Sequence, residues 1–315
     1  MAFLQIQFFS ASLNVASTVN VILPEANQGI GMGVSKDERP PKVLYLLHGY
    51  SDDHSIWMRR TSVERYAANH NLAVIMPAVN HSFDCNEVYG EKYWDYISDE
   101  LPRTMRRFLR LSEKPEDTYV AGLSMGGYGA MRLALTYPEH FAGAASFSGA
   151  VDLATVFYER NLEPGVSRVF GDLKEIKGTE YDPFYLMEKN AKATHKPWLY
   201  VSCGTKDFLF EQHRVFVPAL RKNGWDVLSY EEPDAVHEWG FWDEQIKTFI
   251  ELIFAREEMM ISAGLGVPEA ARLCRELRAK GFDLPEDLYR PDELKEHLLG
   301  LWRSAHPSEK EGPAC

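Results

Sequence analysis

The chain has 315 residues, 45% hydrophobic and 25% charged, the composition of a globular protein with room for one large α/β domain or two small ones. With 34 Lys and Arg against 46 Asp and Glu the formal net charge is −12, which argues against nucleic acid or an anionic membrane as the main partner but leaves small anions open, since the field in a cleft differs from the global sign. Cys85, Cys203, Cys274 and Cys315 lie far apart without C-x-x-C spacing, so free thiols, a reducing cytoplasmic location and no structural zinc are expected.

The N-terminal stretch lacks a basic start and a cleavage site, and no apolar run reaches the length of a membrane span. Residues 3–9 and 18–23 instead alternate as two antiparallel edge strands. Residues 24–42, rich in Pro, Gly and charge, read as a surface loop. Val43 to Leu47 is a continuous apolar run, the mark of a strand buried on both faces of a parallel sheet, and it ends in His48-Gly49-Tyr50. Ser51-Asp52-Asp53-His54 follows, the acidic pair capping a helix expected over 56–69, with His54 a surface or capping residue. Leu72 to Met76 is the next buried strand. Residues 80–97 form a long aromatic loop; its His81, Asp84 and Cys85 match no zinc spacing and read better as the mouth of a site. A helix over 98–111 carries Arg103, Arg106, Arg107 and Arg110, a stripe expected to be a solvated face with acidic neighbours.

Thr118 to Ala121 is a further strand, and Tyr128 to Tyr137 begins a helix. Between them stands Gly122-Leu123-Ser124-Met125-Gly126. G-x-S-x-G between strand and helix is the nucleophile elbow of α/β-hydrolases: a strained turn lifts the serine clear of the sheet, and small residues avoid the neighbouring elements. The following helix aims its N-terminal N–H groups at the place where an oxyanion would form. A small-residue strand follows at 144–149. Breaks at Pro164-Gly165, Gly171, Gly178 and Pro183 then mark residues 151–196 as a small cap. The strand 198–202 runs into Cys203-Gly204-Thr205-Lys206-Asp207, a helix covers 211–223, and the strand 227–231 leads to His237, followed by a helix over 241–255. The order Ser124, Asp207, His237 is that of nucleophile, acid and base in this fold.

On these residues the chain resembles the esterase D-like (Putative esterase) family of α/β-hydrolases, and within it the tributyrin esterase branch. The matching stretches are Leu46-Leu-His-Gly-Tyr50 with Trp57, His81-Ser-Phe83, Tyr96-Ile-Ser-Asp-Glu-Leu-Pro102, Gly122 to Gly127, Gly204-Thr-Lys-Asp207 and His237-Glu-Trp-Gly-Phe-Trp242. The resemblance implies a mostly parallel twisted sheet flanked by helices over 1–256, with Ser124, Asp207 and His237 as the triad. It also implies the Tyr50 and Met125 N–H groups as the oxyanion hole, and activity on small acyl esters. Trp57, Phe83, Phe208 and Trp239 are candidate walls of the pocket. Relatives are often glycine-rich after His-Gly; Ser51 to His54 in that place is expected to narrow the acyl pocket. Residues 257–315 have no counterpart and read as two helices, 268–280 and 291–304, with apolar stripes suited to docking on the body, another subunit or a partner, before a disordered end.

Three functions follow. The first is a serine carboxylesterase for acetyl to butyryl esters, needing no cofactor and no metal. The second keeps the triad for a thioester, as in an S-formylglutathione hydrolase, or for acyl transfer. The third, a non-catalytic scaffold, has no use for an intact Ser/Asp/His set.

Overall fold

The computed structural model describes residues 1–25, 37–153, 155, 163–171 and 176–262. It divides the chain into two compact units, Met1–Ile250 and Glu251–Cys315. The helices expected within 257–315, with Cys274 and Cys315, lie outside the described residues.

The first unit is an α/β-hydrolase fold built on one eight-stranded sheet. In chain order its strands are β1 (Ala2–Ser10), β2 (Val15–Leu23), β3 (Lys42–Leu47), β4 (Leu72–Pro77), β5 (Thr118–Leu123), β6 (Gly143–Phe147), β7 (Trp198–Gly204) and β8 (Val227–Glu232). Across the sheet they run β1-β2-β4-β3-β5-β6-β7-β8, antiparallel from β1 to β4 and parallel from β4 onward. The hydrophobic patterns explain the layout. β1 alternates half-buried and exposed residues, as an edge strand does, whereas β4, β5 and β6 are buried at every position. Ser10 and the turn after it are tied down by Glu100, which accepts from Ser10 Oγ at 2.7 Å and from the Ala11 and Ser12 N–H groups at 2.7 and 3.0 Å.

The helices are α1 (Ile56–Arg60), α2 (Val63–Ala67), α3 (Tyr93–Asp95, Tyr96–Glu100 and Leu101–Phe108, continuous through a π turn), α4 (Met125–Thr136), α5 (Glu163–Phe170), α6 (Pro183–Lys189), α7 (Phe210–Lys222) and α8 (Trp239–Ser262). Two expectations are corrected. The helix expected over 56–69 is broken into α1 and α2, because the Thr61 hydroxyl donates to Trp57 O at 2.5 Å and Asp243 accepts from the Ser62 N–H at 2.9 Å. The helix expected to start at 98 starts at Tyr93, since the π turn carries the aromatic end of the preceding loop into helical backbone. In the region expected as a cap, α5 packs on the 80–97 loop. Arg168 reaches Glu87 at 2.7 Å and Glu91 at 3.0 Å, and the Val88 N–H donates to Val169 O at 3.0 Å. Among the described residues, no helix is long and apolar enough to cross a membrane.

Candidate active site

Four of the parallel strands end along one edge of the sheet, and the loops leaving β3, β5, β7 and β8 there carry Tyr50, Ser124, Asp207 and His237. Ser124 joins β5 to α4 with φ +52° and ψ −113°, a conformation that costs an L residue roughly 1–3 kcal/mol. The strain is held by hydrogen bonds. The Ser124 N–H donates to Phe147 O at 2.9 Å, and its carbonyl accepts from the N–H groups of Tyr128 at 3.0 Å and Ala150 at 3.2 Å. The glycines of the motif have a measurable reason. A Cβ on Gly122 would stand 2.3 Å from Gly126 O, and one on Gly126 would stand 2.6 Å from Leu47 O, so strand and helix meet too closely for any side chain.

The loops bearing Asp207 and His237 are locked to each other. The Lys206 N–H donates to Ala235 O at 3.0 Å, the Thr205 N–H to Glu232 O at 2.9 Å and the Asp234 N–H to Thr205 Oγ1 at 2.8 Å. Asp207 has a fully buried carboxylate. Its Oδ1 accepts from the Leu209 N–H at 2.8 Å, and its Oδ2 lies 2.8 Å from His237 Nδ1. With Nδ1 engaged, the imidazole's other nitrogen is the one left for chemistry. Phe208 packs beside the ring at 4.5 Å, and Trp242 meets it edge-on at 4.7 Å while donating its indole N–H to Ser148 Oγ at 3.2 Å.

The Gly49–Tyr50 peptide is held by a residue to which the sequence reading gave no role. His48 is buried. Its Nε2 accepts from the Val79 N–H at 3.0 Å, which leaves the proton on Nδ1, and Nδ1 donates to Gly49 O at 2.7 Å. Burial pushes the His48 imidazole down to about 4, so it is neutral near pH 7. The same carbonyl accepts from the Asp52 N–H at 3.2 Å. In a trans peptide the N–H points away from the C=O, so anchoring the carbonyl aims the Tyr50 N–H the other way. Neither that N–H nor the Met125 N–H, at the start of α4, donates to any described protein group.

Ser124 and His237 line one cavity of about 510 Å3, with Tyr50, Phe83, Phe208 and Trp239, and with Asp52 and Glu238 as its two acidic residues. Asp52 thus brings the Ser51–His54 loop to the cavity wall, and partial burial holds its carboxyl above the usual carboxylate range. Trp57 corrects the sequence reading. It is 1% exposed, does not line the cavity, donates its indole N–H to Leu47 O at 3.0 Å, and props Trp239 edge-on at 5.2 Å. Leu123, Ala150, Leu209 and Trp242 also line the cavity. Leu123 and Trp242 stood in recognised motifs, though neither was read as a pocket wall; Ala150 and Leu209 gave no signal.

Behind the Phe83 wall the 80–97 loop enters the core. Phe83 and Asp84 both have positive φ, 51° and 53°. Asp84 is buried with no hydrogen bond to either carboxyl oxygen, and burial pushes it up to about 8 in spite of the Arg132 guanidinium nearby. That guanidinium donates to Asp84 O at 3.3 Å and to Cys85 Sγ at 3.1 Å, and stacks 3.8 Å over the Trp94 ring. Among the described residues, no group of three His, Cys, Asp or Glu is placed to hold a metal ion.

Residues 10–249 match the model of the family described as Putative esterase. A relative named as an acetyl esterase, from Caldicellulosiruptor saccharolyticus, is 32% identical over 263 residues, covering 80% of this chain and 97% of that protein. Two solved Staphylococcus aureus structures are similar at 36% identity, each covering 80% of this chain and 98% of its own: the fluorophosphonate-binding serine hydrolase FphF in a substrate-bound form (TM-score 0.73) and the S-formylglutathione hydrolase FrmB (TM-score 0.71). A ferulic acid esterase at 21% identity and TM-score 0.63 shares the fold.

Proposed function

Because the chain belongs to the Putative esterase family, a family of α/β-hydrolase serine esterases, we propose that it hydrolyses short-chain acyl esters, acetyl to butyryl, through an acyl-enzyme on Ser124. The observation that carries this reading is the 2.8 Å contact between Asp207 and His237 at the wall of the cavity into which the strained Ser124 is raised. Ser124 Oγ attacks the ester carbonyl while His237 takes its proton; the imidazolium then gives that proton to the departing alcohol. A water, deprotonated by the same imidazole, attacks the acyl-enzyme, and the acid leaves as Ser124 is reprotonated. Asp207 fixes the imidazole tautomer and stabilises its cation. The serine–imidazole hydrogen bond of such sites is commonly long without substrate and tightens in the Michaelis complex. The Tyr50 and Met125 N–H groups receive the tetrahedral oxyanion, each worth roughly 3–4 kcal/mol by analogy with donor deletions. Phe83, Phe208 and Trp239 flank the bound ester.

The fully buried Asp207 carboxylate and its two contacts make the triad testable. Ser124→Ala abolishes p-nitrophenyl acetate hydrolysis without loss of fold, and a chain-length series of p-nitrophenyl esters peaks between acetyl and butyryl. Normal turnover by Ser124→Ala removes the serine from the mechanism; a peak at long chains refutes the acyl range.

The 36% identity to the S-formylglutathione hydrolase favours a second reading, a thioester substrate on the same triad. Two acidic residues among the cavity's lining, Asp52 and Glu238, disfavour the anionic glutathione leaving group and favour neutral alcohols. A kcat/KM for S-formylglutathione far above that for acetyl esters would reverse that order.

A further inference from the structure

The end of the sheet away from Ser124 holds a second cavity, of about 610 Å3. It is reached at Thr118, the first residue of β5, and at His140 and Phe141 just before β6, so it lies at the opposite ends of the same strands that carry the catalytic loops. One wall is α3, through Ile97, Arg103, Arg106 and Arg107; another is Leu133 of α4; Tyr45 of β3 also lines it. Its size is that of a small-molecule site.

Two polar groups there are buried without a hydrogen-bond partner, the Tyr45 hydroxyl and Arg106 Nε. Tyr45 is 4% exposed, and burial pushes its hydroxyl up to about 12, so it is a protonated donor at neutral pH. Tyr45 shares one face of β3 with Val43 and Leu47, in the same core cluster as Ile97, Met105 and Leu133, and it also lines this cavity. Leaving a buried donor unmet costs on the order of 1–3 kcal/mol, so a native cavity lined by two such groups wants an acceptor.

The charges point to which acceptor. Arg103 is committed to Asp99 at 3.1 Å. Among the described residues, Arg106 and Arg107 form no ion pair; Arg106 reaches only Thr118 Oγ1, at 3.5 Å. Asp99 and Glu113 also line the cavity, but Asp99 is neutralised by Arg103, so guanidinium charge prevails in a chain whose net charge is −12. Of the stripe expected as a solvated face, Arg103, Arg107 and Arg110 are exposed, while Arg106 is half-buried at the pocket.

We propose that this cavity binds an organic carboxylate with a compact apolar body. The carboxylate accepts from Arg106 and the Tyr45 hydroxyl, with Arg107 adding charge. The body rests on Ile97, Leu133 and Phe141. A planar guanidinium meets a carboxylate with paired donors, which a lone ammonium does not, and the three apolar walls exclude a bare inorganic anion as the best ligand. The site is independent of the Ser124 chemistry, since its residues sit at the far end of the strands.

Isothermal titration of the full chain with sodium hexanoate, hexan-1-ol and inorganic phosphate tests this. Hexanoate binds; the alcohol, with the same body and no charge, and phosphate, with charge and no body, bind at least about tenfold more weakly. Arg106→Gln weakens hexanoate about tenfold or more and Tyr45→Phe several-fold, while both variants keep p-nitrophenyl acetate turnover and the wild-type circular dichroism. Tyr45→Phe keeps the buried ring, so it tests the hydroxyl even where an arginine variant unfolds. Absence of heat with hexanoate, binding that ignores both substitutions, or a preference for phosphate overturns the proposal.

Discussion

His48 offers the sharpest test of how the oxyanion donor is aimed, because its two nitrogens do different work. Nδ1–H holds Gly49 O at 2.7 Å, and Nε2 receives the Val79 N–H at 3.0 Å. An asparagine places its amide nitrogen near the position of Nδ1, and a glutamine reaches that of Nε2. His48→Asn therefore keeps the Gly49 contact and orphans the Val79 N–H; His48→Gln does the reverse. Each leaves one buried backbone group unpaired, a loss of about 1–3 kcal/mol, so both variants melt earlier by comparable amounts. Their kinetics diverge. With the Gly49 carbonyl released, the Tyr50 N–H loses its direction, and the cost approaches that of losing an oxyanion donor, roughly 10²–10³ in kcat. His48→Asn stays within about tenfold of wild type, the lesser effect of a peptide still anchored. The assay is kcat and KM for p-nitrophenyl acetate beside thermal melts of all three proteins. Equal kcat values in the two variants, at equal stability, refute the claim that the Gly49 anchor sets the donor. The protonation of His48 makes a second check. A folded-state value depressed to about 4, against an ordinary value of 6.5, contributes stability above pH 6.5 that is lost as pH falls towards 4, so wild type loses stability across that window more steeply than either amide variant.

Asp84 gives the opposite sign. Its carboxyl is raised to about 8 by burial from an ordinary 3.8, so the contribution present below pH 3.8 is lost as pH rises towards 8; Asp84→Asn, which mimics the protonated form, flattens the melting temperature between pH 5 and 9, and parallel profiles would count against a neutral Asp84. Gly129→Ala sets a Cβ 2.1 Å from Asp84 Oδ2 and outweighs the helix-propensity gain of about 0.5–1 kcal/mol; a net loss of about 1–3 kcal/mol is expected by chemical denaturation, and a stabilised variant would refute the packing. Asp207→Asn keeps the fold and lowers kcat by about 10⁴, because the imidazole tautomer is no longer imposed; a loss under tenfold would remove Asp207 from the acid role.

What could be read from the sequence was local. The buried strands announce themselves as unbroken apolar runs, and G-x-S-x-G between a strand and a helix has one mechanical meaning, which the 2.3 and 2.6 Å approaches at Gly122 and Gly126 express as sterics. Asp207 and His237 were singled out by their place after β7 and β8, and the two side chains meet at 2.8 Å, since chain order in this topology fixes which loops meet. Roles set by burial could not be read in this way. Trp57, adjacent to the motif in sequence, had the composition of a pocket wall, yet its indole N–H is spent on Leu47 O and its ring supports Trp239 from behind. Nothing local distinguishes a tryptophan one layer deep from one at the surface.

The same limit explains His48 and the arginine stripe, and it points to a common logic. The histidine before Gly49 carried no role in the sequence; burial holds it neutral and leaves it as a clamp on one peptide. Arginines spaced along a helix look solvated, and Arg103, Arg107 and Arg110 are exposed, but Arg106 is half-buried with its Nε unpaired. In both cases the side chain's chemistry is decided by which polar partner remains once the sheet is assembled. His48 has two partners and is finished. Tyr45 and Arg106 lack full sets, and the missing acceptor is why the far end of the sheet, and not only the end carrying Ser124, is expected to hold a ligand.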